Sequence, residues 1–144
     1  MTQEEKELLL KELSARLPYH CRVFYEYVDN LDNKTYGYSL TLNTWCIDEF
    51  DAGKAVVKPY LLPMSSMTEE EKEELSHLLP KDWSVEIDKL NNFYFDISPS
   101  IFMEIDVFLN IIDWLNAHHF DYRGLIEKGL ALKAKEGMYD VKER

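Results

Sequence analysis

Leu9, Leu10, Leu13 and Leu17 recur at helical spacing, with Glu4, Glu5, Lys6, Glu7, Lys11 and Glu12 covering the other side. That pattern predicts an amphipathic helix over 2–17, its charged residues in solvent and its leucines on a core. Thr2 and Glu5 stand in capping-box spacing at its start, and Pro18 stops it. The period then shortens to two. Cys21, Val23, Tyr25 and Tyr27 alternate with Arg22, Phe24, Glu26 and Val28, and Tyr36, Tyr38, Leu40 and Leu42 alternate with Thr35, Gly37, Ser39 and Thr41. Between them, residues 29–34 (DNLDNK) are turn-forming, so an antiparallel hairpin is expected, with Trp45–Ile47 prolonging or bending its second strand.

A polar connection is expected over 48–53, then a third strand within 54–62, which Pro59 marks as an edge or a break. Thr68 and Glu71 repeat the capping box and open a helix to Leu79, before Pro80. Alternation at Val85/Ile87 and at Phe93/Phe95/Ile97 predicts one or two short strands, with Asn91–Asn92 as a turn. Ser98–Pro99 begins a helix to about His118, whose stripe Ile101, Phe102, Ile105, Phe108, Leu109, Ile112 and Leu115 marks it as the most buried element, packed across the hairpin sheet. Residues 122–128 suit another helical turn or two ending at Gly129, and from Lys133 onward order is expected only where Met138 or Tyr139 docks. The expected architecture is α+β: one domain over 1–144, a mainly antiparallel sheet of three to five strands, and helices at about 2–17, 68–79 and 99–118 packed on it.

Composition narrows the function classes. Seven Phe, three Trp and nine Tyr in 144 residues are enough for a core without a staple. No apolar run reaches the ~18 residues of a membrane span, and the acidic, polar start is unlike a secretion signal, so a cytoplasmic protein is expected. Net charge is −11; residues 64–90 hold eight acids and three bases, residues 91–121 five and none, and residues 122–144 four and six. Such a surface argues against direct nucleic-acid binding, which needs clustered Lys and Arg. It fits either a solvated surface or an acidic face that meets a basic protein; a mimic of nucleic acid would string carboxylates along one surface, and only one dense run, Glu69–Glu74, occurs.

Candidate chemistry is sparse. No glycine-rich phosphate loop and no Gly-x-Ser-x-Gly elbow occurs, and the two cysteines form neither a disulfide framework nor a four-cysteine zinc site. His118 and His119 project ~100° apart on a helix, which disfavours a shared metal and suits capping of the helix C-terminus. No catalytic residue, cofactor or metal is assigned. His119, Asp121, Tyr122 and Arg123 form the densest chemically mixed cluster and are the candidate partner-binding residues, although Asp121 and Arg123 also suit pairing or capping. Tyr25, Tyr27, Tyr36 and Tyr38 are a binding platform if their face is open and core if helices cover it.

Three blocks carry a resemblance: residues 15–19 (ARLPY), residues 58–71 (KPYLLPMSSMTEEE), and residues 113–126 (DWLNAHHFDYRGLI) with 129–131 (GLA) and 136–139 (EGMY). Over nearly its whole length the chain resembles a group of small proteins of bacteriophages and mobile elements from gut anaerobic bacteria. The resemblance implies a context, work inside a bacterial cell, and carries no activity, ligand or site residue with it. In that context the expected function is a non-enzymatic adaptor whose partner is another protein. The alternative is an acidic inhibitor, imitating nucleic acid, of a host nucleic-acid-binding or defence enzyme. A small enzyme comes third.

Overall fold

The computed structural model describes residues 1–79, 84–87, 93–96 and 105–139. Helix α1 (Gln3–Arg16) opens with the reciprocal Thr2/Glu5 box and leads into a single 3₁₀ turn, Leu17–Tyr19. Strands β1 (Arg22–Val28) and β2 (Thr35–Thr41) form the antiparallel hairpin, with Val23 opposite Leu40, Tyr25 opposite Tyr38 and Tyr27 opposite Tyr36. On the opposite face the Phe24 ring lies over Gly37, where any Cβ would overlap it.

The expected extension at Trp45–Ile47 and the polar connection after it are instead a helix, α2 (Thr44–Asp51). Asn43 caps it through the Cys46 N–H at 3.0 Å, so a local side-chain cap overrides the alternation that precedes it. Strand β3 (Val56–Leu61) pairs antiparallel with β1 and parallel with β6 (Leu132–Lys133), giving a four-stranded sheet in the order β2-β1-β3-β6. Pro59 therefore sits in an inner strand, not at an edge. The ladder yields there: Arg22 N–H, next to the Val23/Pro59 pair, donates to the Tyr139 hydroxyl at 2.7 Å, and that hydroxyl donates to the Tyr60 carbonyl at 2.8 Å. A tail residue thus supplies the rung missing between two strands.

Helix α3 (Glu69–Ser76) has the expected Thr68/Glu71 box. Strands β4 (Ser84–Ile87) and β5 (Phe93–Asp96) form a separate antiparallel pair. Helix α4 is described over Ile105–Ala117; its expected beginning, like the Asn91–Asn92 turn, lies outside the described residues.

The apolar residues divide into two cores. Leu9, Leu13, Val23, Cys46, Phe50, Val57, Leu61 and Leu125 pack α1 and α2 onto one face of the main sheet. Met64, Met67, Leu75, Val85, Ile111, Leu115 and Phe120 join α3, β4 and α4 in the second. Helix α4 therefore belongs to the second core instead of lying across the hairpin, and it is not the most buried element. Ile111 and Leu115 are buried, but Ile105 is 70% exposed and Leu109 52%. Among the described residues no helix is long and apolar enough to cross a membrane.

Candidate functional site

The segment after α4 is built around a helix stop. His119 adopts a left-handed backbone (φ 65°). Its N–H bonds the Asn116 carbonyl at 3.2 Å, and Phe120 N–H bonds the Leu115 carbonyl at 3.0 Å. These are the paired bonds of a Schellman stop, with histidine where glycine is usual and with the Leu115–Phe120 apolar contact that accompanies it. The same bonds recur at Gly129 and Leu130, but residues 122–128 are turns, not the expected helix. Asp121 holds those turns, its carboxylate accepting from the N–H groups of Leu125 (2.8 Å) and Ile126 (3.0 Å).

The four candidate partner-binding residues consequently point to different places. His119 is buried and stacked on Tyr139, ring centroids 3.8 Å apart. Asp121 is buried in its turn. Tyr122 is half-buried, its hydroxyl donating to Asn116 Oδ1 at 2.8 Å, and burial raises its pKa, as does the nearby Glu12 carboxylate. Arg123 is exposed but turns its Nε to Glu12 Oε1 at 2.6 Å. His118 caps instead, with Nδ1 2.8 Å from the Trp114 carbonyl and its ring stacked on Trp114. Among the described residues no group of three or more His, Cys, Asp or Glu is placed to hold a metal ion.

What gathers these residues is a buried carboxylate that the sequence reading placed in solvent. Glu12 is 1% exposed; its Oε2 accepts from Arg16 Nε (3.2 Å) and Nη2 (3.1 Å) while Oε1 holds Arg123. Arg16, fully buried, also donates to the Phe120 carbonyl at 2.7 Å and lies 5.3 Å above the Tyr122 ring. A carboxylate shared by two guanidiniums, one of them over an aromatic face, locks α1 to the 119–126 segment. The missed signal was spacing: Leu9, Glu12, Leu13 and Arg16 share one face of α1.

The open chemistry lies on the hairpin, where the structure divides the tyrosines. Tyr25 is core at 5% exposed, whereas Tyr36 (41%), Tyr38 (45%) and Trp45 (47%) face outward. All five rings are in contact: Tyr25 with Trp45 at 4.8 Å, with Tyr38 at 5.5 Å and with Tyr27 at 5.7 Å, and Tyr27 with Tyr36 at 6.0 Å. The Tyr36 hydroxyl is tied to Asp32, and Glu49, close enough to Tyr25 to raise its pKa further after burial, stands beside the patch. Residues 26–51 carry six acids against one lysine. The arrangement offers fixed aromatic area with an acidic surround, beside β2, whose outer side is paired to no strand among the described residues. No protein-family model, curated protein or solved structure matches this chain.

Proposed function

We propose that the chain is a non-enzymatic protein-binding module of a phage or mobile element, working inside the bacterial cell. Its contact surface is the hairpin face of Tyr36, Tyr38 and Trp45, and its partner presents a basic, extended segment. The observation that carries this reading is the exposed aromatic patch itself. Tyrosine and tryptophan give large contact area at little entropic cost, and here Tyr25 and Tyr27 hold the outer rings in place from below. The acidic surround selects Lys and Arg, which also bind aromatic faces. The outer side of β2, paired to no strand among the described residues, suits a segment that adds as a further strand.

The test is capture from carrier cells with wild-type protein and with a Tyr36→Ser/Tyr38→Ser/Trp45→Ser variant. The expected result is a partner with a basic contact segment, released by high salt and lost from the variant at unchanged fold. A partner set retained in full by the variant overturns the assignment of the surface. A second reading, the acidic inhibitor, is favoured by one observation. Glu69, Glu70, Glu73 and Glu86, with Lys72 paired to Glu69, line an open groove of about 540 Å³ beside α3. It requires capture of a nuclease or other nucleic-acid enzyme that DNA displaces.

A further inference from the structure

A cleft of about 320 Å³ opens where the turn after α1, the start of β1, the end of β2 and the tail meet; Tyr19, His20, Arg22, Thr41, His119 and Tyr139 line it. Its wall is the reverse of the molecule's surface in charge. In a chain with 27 acids and 16 bases, this wall carries an arginine and two histidines and, among the described residues, no carboxylate. Arg22 is differently placed from the two arginines on Glu12. Its Nη1 donates to Thr41 Oγ1 at 3.2 Å, and among the described residues no carboxylate pairs with it. A guanidinium without a carboxylate beside a concavity presents the fork that oxyanions match.

One side of the wall and the backbone of the other are fixed in place. His20 holds a left-handed backbone at the end of the 3₁₀ turn (φ 57°). Tyr139 is bonded to Arg22 N–H on one side and the Tyr60 carbonyl on the other, and the His119 ring stacks on it. Tyr139 and His119 are thus ordered before a ligand enters, and the ordering cost falls on the Arg22 and His20 side chains. The volume lies at the small end of ligand pockets, room for one ring and its substituent.

From this lining we propose that the cleft binds a small organic anion, a planar ring bearing a phosphate or a carboxylate. The oxyanion sits at Arg22 and His20, and the ring lies against Tyr19 and Tyr139. The site is separate from the aromatic face of the hairpin.

Titration of isotope-labelled protein with phenyl phosphate, benzoate and phenol, followed by NMR, tests it. At least one of the two anions is expected to shift the Arg22, His20 and His119 signals saturably, and phenol to bind about tenfold more weakly. Phosphate is the group if phenyl phosphate is the tighter anion, carboxylate if benzoate is. Arg22→Gln should weaken the anion about tenfold, whereas Tyr38→Ala, on the hairpin patch, should leave it unchanged. His20→Asn, at an exposed position whose left-handed backbone Asn tolerates, is the second variant and should weaken it severalfold. No saturable shift from either anion up to ~10 mM, phenol binding as tightly as the anions, or affinity unchanged in both variants overturns the proposal.

Discussion

Replacing Glu12 by glutamine takes one negative charge from between two guanidiniums and leaves the shape almost unchanged. Arg16 is fully buried and then has the Phe120 carbonyl, the Tyr122 ring and at best one amide oxygen for company. Breaking a buried pair from one side costs about 3–5 kcal/mol, because a desolvated charge is left behind. Arg123 adds little to the loss: at 47% exposed it is screened, and its share is about 0.5 kcal/mol. An expected loss of about 3 kcal/mol is a large part of a domain's ~5–15 kcal/mol. With a urea m-value near ~2 kcal/mol/M, the midpoint falls by about 1.5 M.

The geometry further predicts an asymmetry. Arg16→Met leaves Glu12 paired with Arg123 and removes Nη1, which has no hydrogen-bond partner among the described residues, so it should cost less than Glu12→Gln. The double variant Glu12→Leu/Arg16→Met should recover most of the loss, as buried pairs exchanged for apolar residues commonly do. Urea unfolding of the three variants measures all of this. A Glu12→Gln loss under ~0.5 kcal/mol, or a double variant as unstable as the two singles added together, would refute the reasoning.

Other outcomes follow from the tail and the helix stop. Tyr139→Phe removes the hydroxyl between Arg22 N–H and the Tyr60 carbonyl and should cost about 1–3 kcal/mol in chemical denaturation, with faster exchange of the Arg22 amide. His119→Ala and His119→Gly both lose the stack on Tyr139, but only Ala keeps a Cβ at φ 65°, so the Gly variant should be the more stable by about 1–2 kcal/mol. Burial raises the pKa of Cys21 above its usual 9.0 and those of Tyr122 and Tyr139 above their usual 10.0. The folded state therefore keeps protons that the unfolded chain loses. Stability from these groups is complete below pH 9.0 and falls as pH rises beyond 9.0 to 10.0, and Tyr139→Phe should make that fall shallower in unfolding midpoints measured against pH.

The candidate site was legible only as a stretch of chain. Residues 119–123 are indeed where distant parts of the molecule meet, but four neighbours in sequence do not share a surface once a helix stop intervenes. The left-handed His119 turns the chain, Asp121 goes to its own turn, and Arg123 goes to Glu12. The tyrosine face was visible as a period of two, but its division into core and surface depends on how far α1 and α2 reach along the sheet.

What the sequence determined by itself was local: two capping boxes, an antiparallel hairpin, a proline-stopped first helix, and an α+β order of elements. Each is encoded within a few contiguous residues, where spacing alone says which atoms meet. Only the tertiary structure decided which polar residues are buried. Glu12 read as one more surface acid until Arg16 reached Phe120, 104 positions away, and Tyr139 was expected to dock but only the structure gave its partners, 117 and 79 positions behind it. Burying a charge or a hydroxyl is tolerated only when partners are present, and here the partners come from the far end of the chain.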